Sequence, residues 1–465
     1  SFVSLARTAA GRACACSIQL GTPKGSTGFA CAPLWCARRE SNPEPTASEA
    51  VTLSNCATDT YAARSDFYYY SRLFAKKKGV FCTSAKKIVY HVIQTFSDKR
   101  DMTLALCMIV KNEEDVLARC LGSVRGVFDE IVVADTGSTD GSVRIAGQFG
   151  ARVVHFPWRY DFAAARNFSF SQATSDYIMW LDADDVLAEP ERRKLLALKA
   201  ELDGSVDAYY LRYDVAFDAG GAVTTYFYRE RIVRREAGMR WVGAIHETIE
   251  VHGRRKREEI AVSHRKVCIK ERGRNLKIFA RLFADGTKPD ARQKYYFARE
   301  LLGSGLYETA ASAFEWFLRG EGTHDDKAGA CRCLAQCYHA LGMRNEERRA
   351  LLRGFDHGPP RPELCCDLGG FFFEEGDFRT AIFWYKLAVN VRRSEAGAAF
   401  VCPDCGGFIP YLGLCACYDR LGQHERARRF NSLAAKLKPY DEVCRRNEAY
   451  FEKILRKEGE KDEKP

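Results

Sequence analysis

Apolar runs of strand length alternate with helix-like segments between residues 104 and 181, and this pattern constrains the fold most strongly. The runs predicted as buried strands are 104–110, 131–134, 151–156 and 177–181. Strands that alternate with helices imply parallel pairing through right-handed crossovers. We therefore predict an α/β domain with a Rossmann-like, mostly parallel sheet, in which ligands bind beyond the carboxyl ends of the strands.

Composition excludes several classes of protein. The chain has 465 residues, of which 46% are hydrophobic, too many for a mainly disordered chain and enough for two or more domains. The net charge is +10, but residues 1–101, with 14 basic and 7 acidic residues, carry +7 of it. We therefore expect no nucleic-acid partner. No apolar run approaches the ~20 residues of a transmembrane helix. Nineteen cysteines without a secretory signal indicate reduced thiols and a cytoplasmic protein.

Residues 1–101 differ from the rest of the chain. They are punctuated by Gly, Ser, Thr and Pro and show little sustained periodicity, and the first methionine is Met102. Two explanations stand: translation begins at Met102 and the upstream part is a non-native extension, or this part is a disordered arm.

Helix-turn-helix units replace the strands after about residue 290. Gly376, Ala381 and Ala388 stand at offsets 0, +5 and +12, and the series from Gly422 repeats these offsets. Small residues at such steps let paired helices approach closely, and the pattern resembles the tetratricopeptide repeat. Gly305 and Gly342 mark two weaker copies. We predict an α/β domain at 102–270, a linker helix at 271–290, repeats at 291–455 and a charged tail at 456–465.

An acidic cluster, Asp182-Ala183-Asp184-Asp185, follows the last predicted strand. Carboxylates at residues i and i+2 after a strand can converge on one divalent cation, which offsets their cost of desolvation. The alternative is that Asp185 caps the next helix. A second acidic turn, 134–141, holds Asp135. This turn by itself is weak evidence for a ligand site, because many strand-helix junctions have such turns. The acidic cluster that begins 47 residues later strengthens that evidence.

Four motifs together resemble the GT-A catalytic domain of family 2 glycosyltransferases. They are 110–114 (VKNEE), 135–141 (DTGSTDG), 164–167 (AARN) and 181–185 (LDADD). The order of this domain, the 241–247 segment (WVGAIHE) and C-terminal repeats is similar to the bacterial subgroup that includes peptide S-glycosyltransferases. The resemblance covers about residues 102–455. It implies inverting transfer of a sugar from a nucleotide donor, with UDP-sugars favoured, assisted by Mn²⁺ or Mg²⁺.

The resemblance also implies roles for individual residues. Asp135 would contact the nucleobase, Asp182 would lie by the ribose and the metal, and Asp184 would be the principal metal ligand. The remaining candidates are Val110, Asn112 and Glu113 in the nucleotide pocket, Arg166 near the diphosphate and His264 as a third metal ligand. Arg166 as an exposed helix residue and His264 as a structural residue are the alternatives.

Inversion requires a base that takes the acceptor's proton. We assign Glu247 as this base, with His246 as its orienter or substitute; the alternative is a salt-bridged surface pair. The signature of processive polymer synthases is absent. Four arginines on the strand-like run 226–235 are expected to be solvated, with the alternative that one of them reaches the diphosphate: Arg229, Arg231, Arg234 and Arg235. Cys402 and Cys405 supply only half a zinc site, so we expect a loop there.

The sequence thus predicts a metal-dependent glycosyltransferase whose repeats hold a peptide, protein or glycan acceptor, or mediate self-association. A tetratricopeptide adaptor whose α/β domain binds nucleotide without turnover is the alternative. The sequence identifies neither the sugar nor the acceptor.

Overall fold

A computed structural model describes residues 101–267, 273–391 and 400–462. Its first part is an α/β region. The strands are β1 (Leu104–Val110), β2 (Glu130–Asp135), β3 (Arg152–His155), β4 (Tyr177–Trp180), β5 (Asp185–Val186), β6 (Ala208–Phe217), β7 (Val223–Arg234), β8 (Trp241–Val242), β9 (Thr248–Ile249) and β10 (Arg255–His264). The helices are α1 (Glu114–Ser123), α2 (Ser142–Gln148), α3 (Phe162–Ser171) and α4 (Glu189–Glu201).

The described strands form one large sheet in the order β3-β2-β1-β4-β7-β6-β10-β5, and β8 and β9 form a separate hairpin. Pairing is parallel from β3 through β4 and again between β6 and β10. It is antiparallel at β4–β7, β6–β7 and β5–β10. The predicted α/β domain with a mostly parallel sheet is confirmed, and the carboxyl ends of β1, β2 and β4 meet at one edge.

Strand β1 separates two apolar cores because its side chains alternate between the faces of the sheet. Leu104, Leu106 and Met108 pack in the core that contains the buried residues of α1 and α4. Ala105 and Cys107 face the opposite core, which includes residues of α3 and β8. Helices therefore cover both faces, as a buried parallel sheet requires.

The second part is helical. Its helices are α5 (Arg274–Ala284), α6 (Ala291–Gly303), α7 (Tyr307–Leu318), α8 (His324–Ala340), α9 (Arg344–Arg353), α10 (Pro362–Glu374), α11 (Phe378–Asn390), α12 (Phe408–Arg420), α13 (His424–Leu437) and α14 (Glu442–Asp462). Within the described ranges, α6 to α13 form four helix pairs, and a glycine with positive φ stands in each turn: Gly305, Gly342, Gly376 and Gly422. The four predicted units are confirmed.

Tyr385 of α11 fills the space left by glycines on the two flanking helices. A Cβ added to Gly369 of α10 would lie 2.7 Å from the Tyr385 ring, and one added to Gly413 of α12 would lie 2.4 Å from it. Ala381 and Ala388, the small residues found by spacing, are fully buried on α11. The small residues of the repeat pattern therefore mark the places where neighbouring helices pack closely.

We expect Gly413→Ala to lower the free energy of unfolding by about 1–3 kcal/mol, because the added methyl group overlaps the buried Tyr385 ring. Thermal and urea unfolding of the full chain measure this. Gly303→Ala is the matched control, since a Cβ at this glycine of α6 has no atom within 4 Å. Equal stability of the two variants would contradict the prediction.

Several other expectations concern the ends and loops. The prediction for residues 1–101 falls almost entirely outside the described residues. Helix α14 runs on to Asp462, into the stretch 456–465 that was expected to be a charged tail. Of the segment predicted to be an inserted loop, residues 403–406 form a short 3₁₀ turn. No described cysteine forms a disulfide, and no described helix has the length and apolar character to cross a bilayer.

Candidate active site

The acidic cluster lies at the end of β4, as predicted, and its three carboxylates have different surroundings. The side chain of Asp184 is 20% exposed, whereas that of Asp185 is completely buried. His264 is the last residue of β10, and the antiparallel pairing of β10 with β5 places it opposite Asp185. The sheet order thus brings a histidine that is 79 residues away in sequence onto the cluster.

Asp185 is an internal counter-ion. Its Oδ1 accepts a hydrogen bond from the Tyr213 hydroxyl at 2.9 Å, and its Oδ2 accepts from Arg231 at 2.9 Å and from the Asp182 amide at 3.0 Å. Arg231 is 0% exposed, and its guanidinium lies 3.8 Å from the centroid of the Trp180 ring. The charges of Arg231 and Asp185 therefore compensate each other inside the protein.

We expect Asp185→Ala to lower the free energy of unfolding by about 3–5 kcal/mol, because it leaves the Arg231 charge buried without its partner. Chemical unfolding monitored by circular dichroism measures the loss. Asp184→Ala is the control, since Asp184 is partly exposed one residue earlier and should change stability little. Loss of the same size in both variants would show that Asp185 has no special structural role.

His264 contacts both neighbouring acids. Its Nδ1 lies 3.3 Å from Asp184 Oδ1, 3.3 Å from Asp185 Oδ1 and 2.9 Å from the Tyr213 hydroxyl. Burial by itself would lower the pKa of His264, but hydrogen bonds and charges from the two acids raise it to about 10. The ligand atoms of Asp182, Asp185 and His264 all lie within 4.8 Å of one another. Oxygen and imidazole donors at this spacing suit a small divalent cation.

Arg166 joins the acidic cluster to the predicted base. Its Nη2 donates to Asp182 Oδ1 at 2.7 Å, and its Nε donates to Glu247 Oε1 at 2.6 Å. Burial opposes ionisation of Asp182, but the charges of Arg166 and Arg231 outweigh it and hold the pKa of this carboxyl well below its usual range. Arg166 is only 6% exposed. The alternative of an exposed helix arginine is wrong, and so is that of Glu247 as a surface residue, since it too is buried.

Helix α3 and the β8–β9 hairpin hold Glu247 in place. The side-chain amide of Asn167 donates to the Trp241 carbonyl and accepts from its N–H, both at 2.9 Å. The Phe162 amide donates to the Ala244 carbonyl at the tip of the hairpin at 2.9 Å. Backbone and side-chain bonds from one helix therefore fix the hairpin against Arg166.

The predicted nucleotide-binding residues also come together. The Asn112 side chain accepts from the Thr139 amide at 2.7 Å, which locks the end of β1 to the turn after β2. Asp135 is buried, and its carboxylate accepts from the amides of Gly137 and Ser138, so it organises this turn. Its Oδ2 also lies 3.3 Å from Nδ1 of His155 on β3, so the carboxylate ties the turn to the neighbouring strand as well.

Two other predicted residues lie at this edge of the sheet. Val110 is buried, and its carbonyl accepts from the Thr136 amide at 2.9 Å. The Glu113 amide donates to the Ser142 hydroxyl at 2.7 Å. The backbone around the pocket is therefore fixed by its own hydrogen bonds.

The expectation that the arginines of 226–235 are solvated is wrong for Arg231, which is fully buried, and for Arg229, whose side chain is 18% exposed; Arg234 is partly exposed and Arg235 is exposed. Besides Arg231, Arg229 lies against Trp180 at 4.7 Å and donates to the Glu247 carbonyl at 2.9 Å. Arg234 pairs with Asp207, and Arg235 donates to the Ser175 carbonyl. Alternation along a strand puts residues 229 and 231 on one face, but the sheet order decides that this face packs on Trp180.

Comparisons with known proteins agree with these observations. Residues 105–247 match the family described as Glycosyl transferase family 2. A TPR repeat-containing protein of Synechococcus elongatus is 29% identical over 293 residues, which are 62% of this chain and 66% of that protein. The SPbeta prophage-derived glycosyltransferase SunS of Bacillus subtilis is 30% identical over 156 residues, 32% of this chain and 36% of SunS. Part of each relative thus lies outside the aligned region.

A solved structure of glucosyl-3-phosphoglycerate synthase from Mycobacterium tuberculosis, in complex with Mn²⁺, uridine diphosphate and glucosyl-3-phosphoglycerate, aligns with 18% identity. The alignment covers 41% of this chain and 81% of that chain, with a TM-score of 0.28, too low to bear on function. The family match, the strand-end acids and the sheet order agree with one another. Residues 105–247 therefore form a domain that matches glycosyltransferase family 2, followed in this chain by tetratricopeptide-like helical hairpins.

Proposed function

We propose that this protein transfers a sugar from a nucleoside diphosphate donor, a UDP-sugar by preference, to an acceptor with inversion at the anomeric carbon. The observation that carries the proposal is the chain of contacts from Asp182 through Arg166 to Glu247. The Arg166 guanidinium binds both Glu247, a carboxylate that can accept a proton, and Asp182, one of the acids at the end of β4. In a direct displacement the acceptor attacks the same carbon that the diphosphate leaves. The residues that bind these two groups therefore have to lie near each other.

The donor would lie along the edge formed by β1, β2 and β4. Asn112, Glu113 and Asp135 would surround the nucleoside, with Val110 contributing backbone. Arg166 is fixed by two carboxylates, and a guanidinium held in this way suits a diphosphate oxygen. Because Arg166 is already positioned, little conformational entropy is lost when the donor binds.

A divalent cation, Mn²⁺ or Mg²⁺, would be held by Asp184 and His264, with Asp182 beside them. Asp185 lies close to Asp182 and His264, but both of its oxygens already accept hydrogen bonds from Tyr213, Arg231 and the Asp182 amide. It therefore supports the site more than it ligates. When bound, such a cation stabilises the negative charge of a departing diphosphate.

Glu247 would take the acceptor's proton as the acceptor attacks the anomeric carbon. The helical hairpins would supply part of the acceptor surface, and a peptide, protein or glycan fits this role. Self-association through the hairpins and a cytoplasmic location remain predictions.

A thermal-shift screen of the full chain against UDP-, GDP- and other nucleotide sugars, with Mn²⁺ or with EDTA, tests the proposal. We expect one donor to raise the melting temperature only with metal, and that donor to release its nucleotide on incubation with acceptor or water. Nuclear magnetic resonance of the product then reports the anomeric configuration. Binding without any turnover would favour the adaptor alternative, and no binding would refute the donor site.

A further inference from the structure

Helix α6, the first of the paired helices α6 to α13, contacts the glycosyltransferase domain next to the proposed base. We propose that Glu300 of α6 is a positioning residue that holds His246, and through it the tip of the β8–β9 hairpin that carries Glu247. This inference rests on the proposed function. It makes the helical region part of the catalytic site as well as an acceptor surface.

Three residues of α6 converge on His246. The Glu300 carboxylate lies 2.8 Å from His246 Nε2, the Tyr296 ring stacks on the imidazole at 4.2 Å, and Arg292 Nε donates to the His246 carbonyl at 2.9 Å. Their spacing of four residues puts them on one face of the helix. One face of α6 therefore binds a single residue, His246, of the glycosyltransferase domain.

The charge state of Glu300 fixes the direction of its hydrogen bond. Burial would raise the pKa of Glu300, but hydrogen bonds from His246 and from Asn275 Nδ2, at 2.8 Å, outweigh it and lower the pKa. An ionised carboxylate only accepts hydrogen bonds, so His246 Nε2 is the donor. Glu300 thereby sets both the tautomer and the orientation of the imidazole.

The backbone of His246 requires this support. His246 has φ +52, in the left-handed region that a residue other than glycine seldom adopts. Such a conformation persists only where the surrounding structure enforces it, and it is concentrated at functional sites. Ile245, directly before it, is buried against Ile278 and Phe279 of α5. Helices α5 and α6 thus enforce a strained turn whose next residue is Glu247.

The Glu247 carboxylate accepts from Arg166 of α3, whereas Glu300 binds the neighbouring residue His246, so Glu300 acts on the base through the turn that the two residues share. If the turn relaxed, the Glu247 carboxylate would shift relative to Arg166 and to the anomeric carbon. A displacement of about 1 Å is sufficient to cost about 10²-fold in rate. Donor binding would be spared, because the hydrogen bonds described above for Asn112, Asp135 and Asp184 run to the turn after β2 and to the end of β10.

Glu300→Ala in the full chain tests this inference. We expect kcat to fall by about 10²-fold while donor affinity, measured by calorimetry with Mn²⁺, stays within about twofold of the wild type. We also expect faster hydrogen-deuterium exchange of the amides in 243–249 and unchanged exchange in β1. Glu300→Gln keeps an oxygen that accepts from Nε2, so its losses should be smaller than those of Glu300→Ala.

Lys438→Met is the matched control. Lys438 of the hairpin region pairs with Asp218 of the β6–β7 turn at 2.9 Å, so it also joins the two domains, but away from the site. We expect this variant to leave kcat and exchange in 243–249 unchanged. Equal effects of Glu300→Ala and Lys438→Met would overturn the inference, since general domain contact would then explain both.

The outcomes also separate this inference from the proposed function. Unchanged exchange in 243–249 of Glu300→Ala overturns the positioning role, whether or not the donor is known. Wild-type protein that binds no nucleotide sugar overturns the proposed function and leaves the exchange result intact. If Glu300→Ala does not fold, Glu300→Gln must still show faster exchange in 243–249 and a larger loss of kcat than Lys438→Met does. Otherwise the inference is wrong.

Discussion

Asp184→Ala should remove sugar transfer, with a loss of about 10³-fold or more in nucleotide release at saturating donor. The reason is that Asp184 is a partly exposed carboxylate of the cluster, and its Oδ1 lies 3.3 Å from Nδ1 of His264, the other proposed ligand. Manganese binding, followed by electron paramagnetic resonance, should weaken in parallel. The measurement is the rate of nucleotide release with Mn²⁺ by a coupled assay.

The fold should survive this substitution. Asp184 lies in the turn after β4, and it is its backbone carbonyl that accepts from the Arg265 amide at 2.9 Å, a bond that alanine retains. Unfolding curves of the variant and the wild type provide the control. A folded Asp184→Ala protein that still turns over its donor with unchanged metal dependence would mean that the cation, if used, binds elsewhere.

Glu247→Gln should lower kcat by about 10²–10⁴-fold, the usual contribution of a general base. The amide oxygen can still accept from Arg166 Nε, where the carboxylate now accepts at 2.6 Å, so the hairpin should keep its place. Donor affinity measured by calorimetry should therefore change little. The measurement is kcat for transfer, with the donor held at saturation.

Glu250→Gln is the matched control for Glu247→Gln, because Glu250 follows the same hairpin and is exposed to solvent. It should retain wild-type kcat. Unchanged kcat in Glu247→Gln, with the donor bound normally, would move the base to another residue. Loss of donor binding along with kcat would instead indicate that Glu247 acts through Arg166 on the diphosphate.

Much of the fold followed from local patterns. The alternation of apolar runs with helices between 104 and 181 gave the parallel part of the sheet, because buried strands and crossover helices have different periods. The glycines at 305, 342, 376 and 422 gave the helical hairpins, because each turn needs a backbone conformation that glycine adopts easily. The acids at the ends of β2 and β4 predicted which edge of the sheet holds the candidate site.

The sequence by itself therefore determined the order of the two regions, the repeat spacing and the place of Asp135, Asp182 and Asp184 at strand ends. Only the tertiary structure decided that Arg231 is buried as the partner of Asp185, and that Glu300 supports His246. These pairs are 46 and 54 residues apart, and they meet through sheet order and domain packing. A charged residue in isolation favours solvent, and it is buried only where the fold brings an opposite charge to it. No local pattern carries that information.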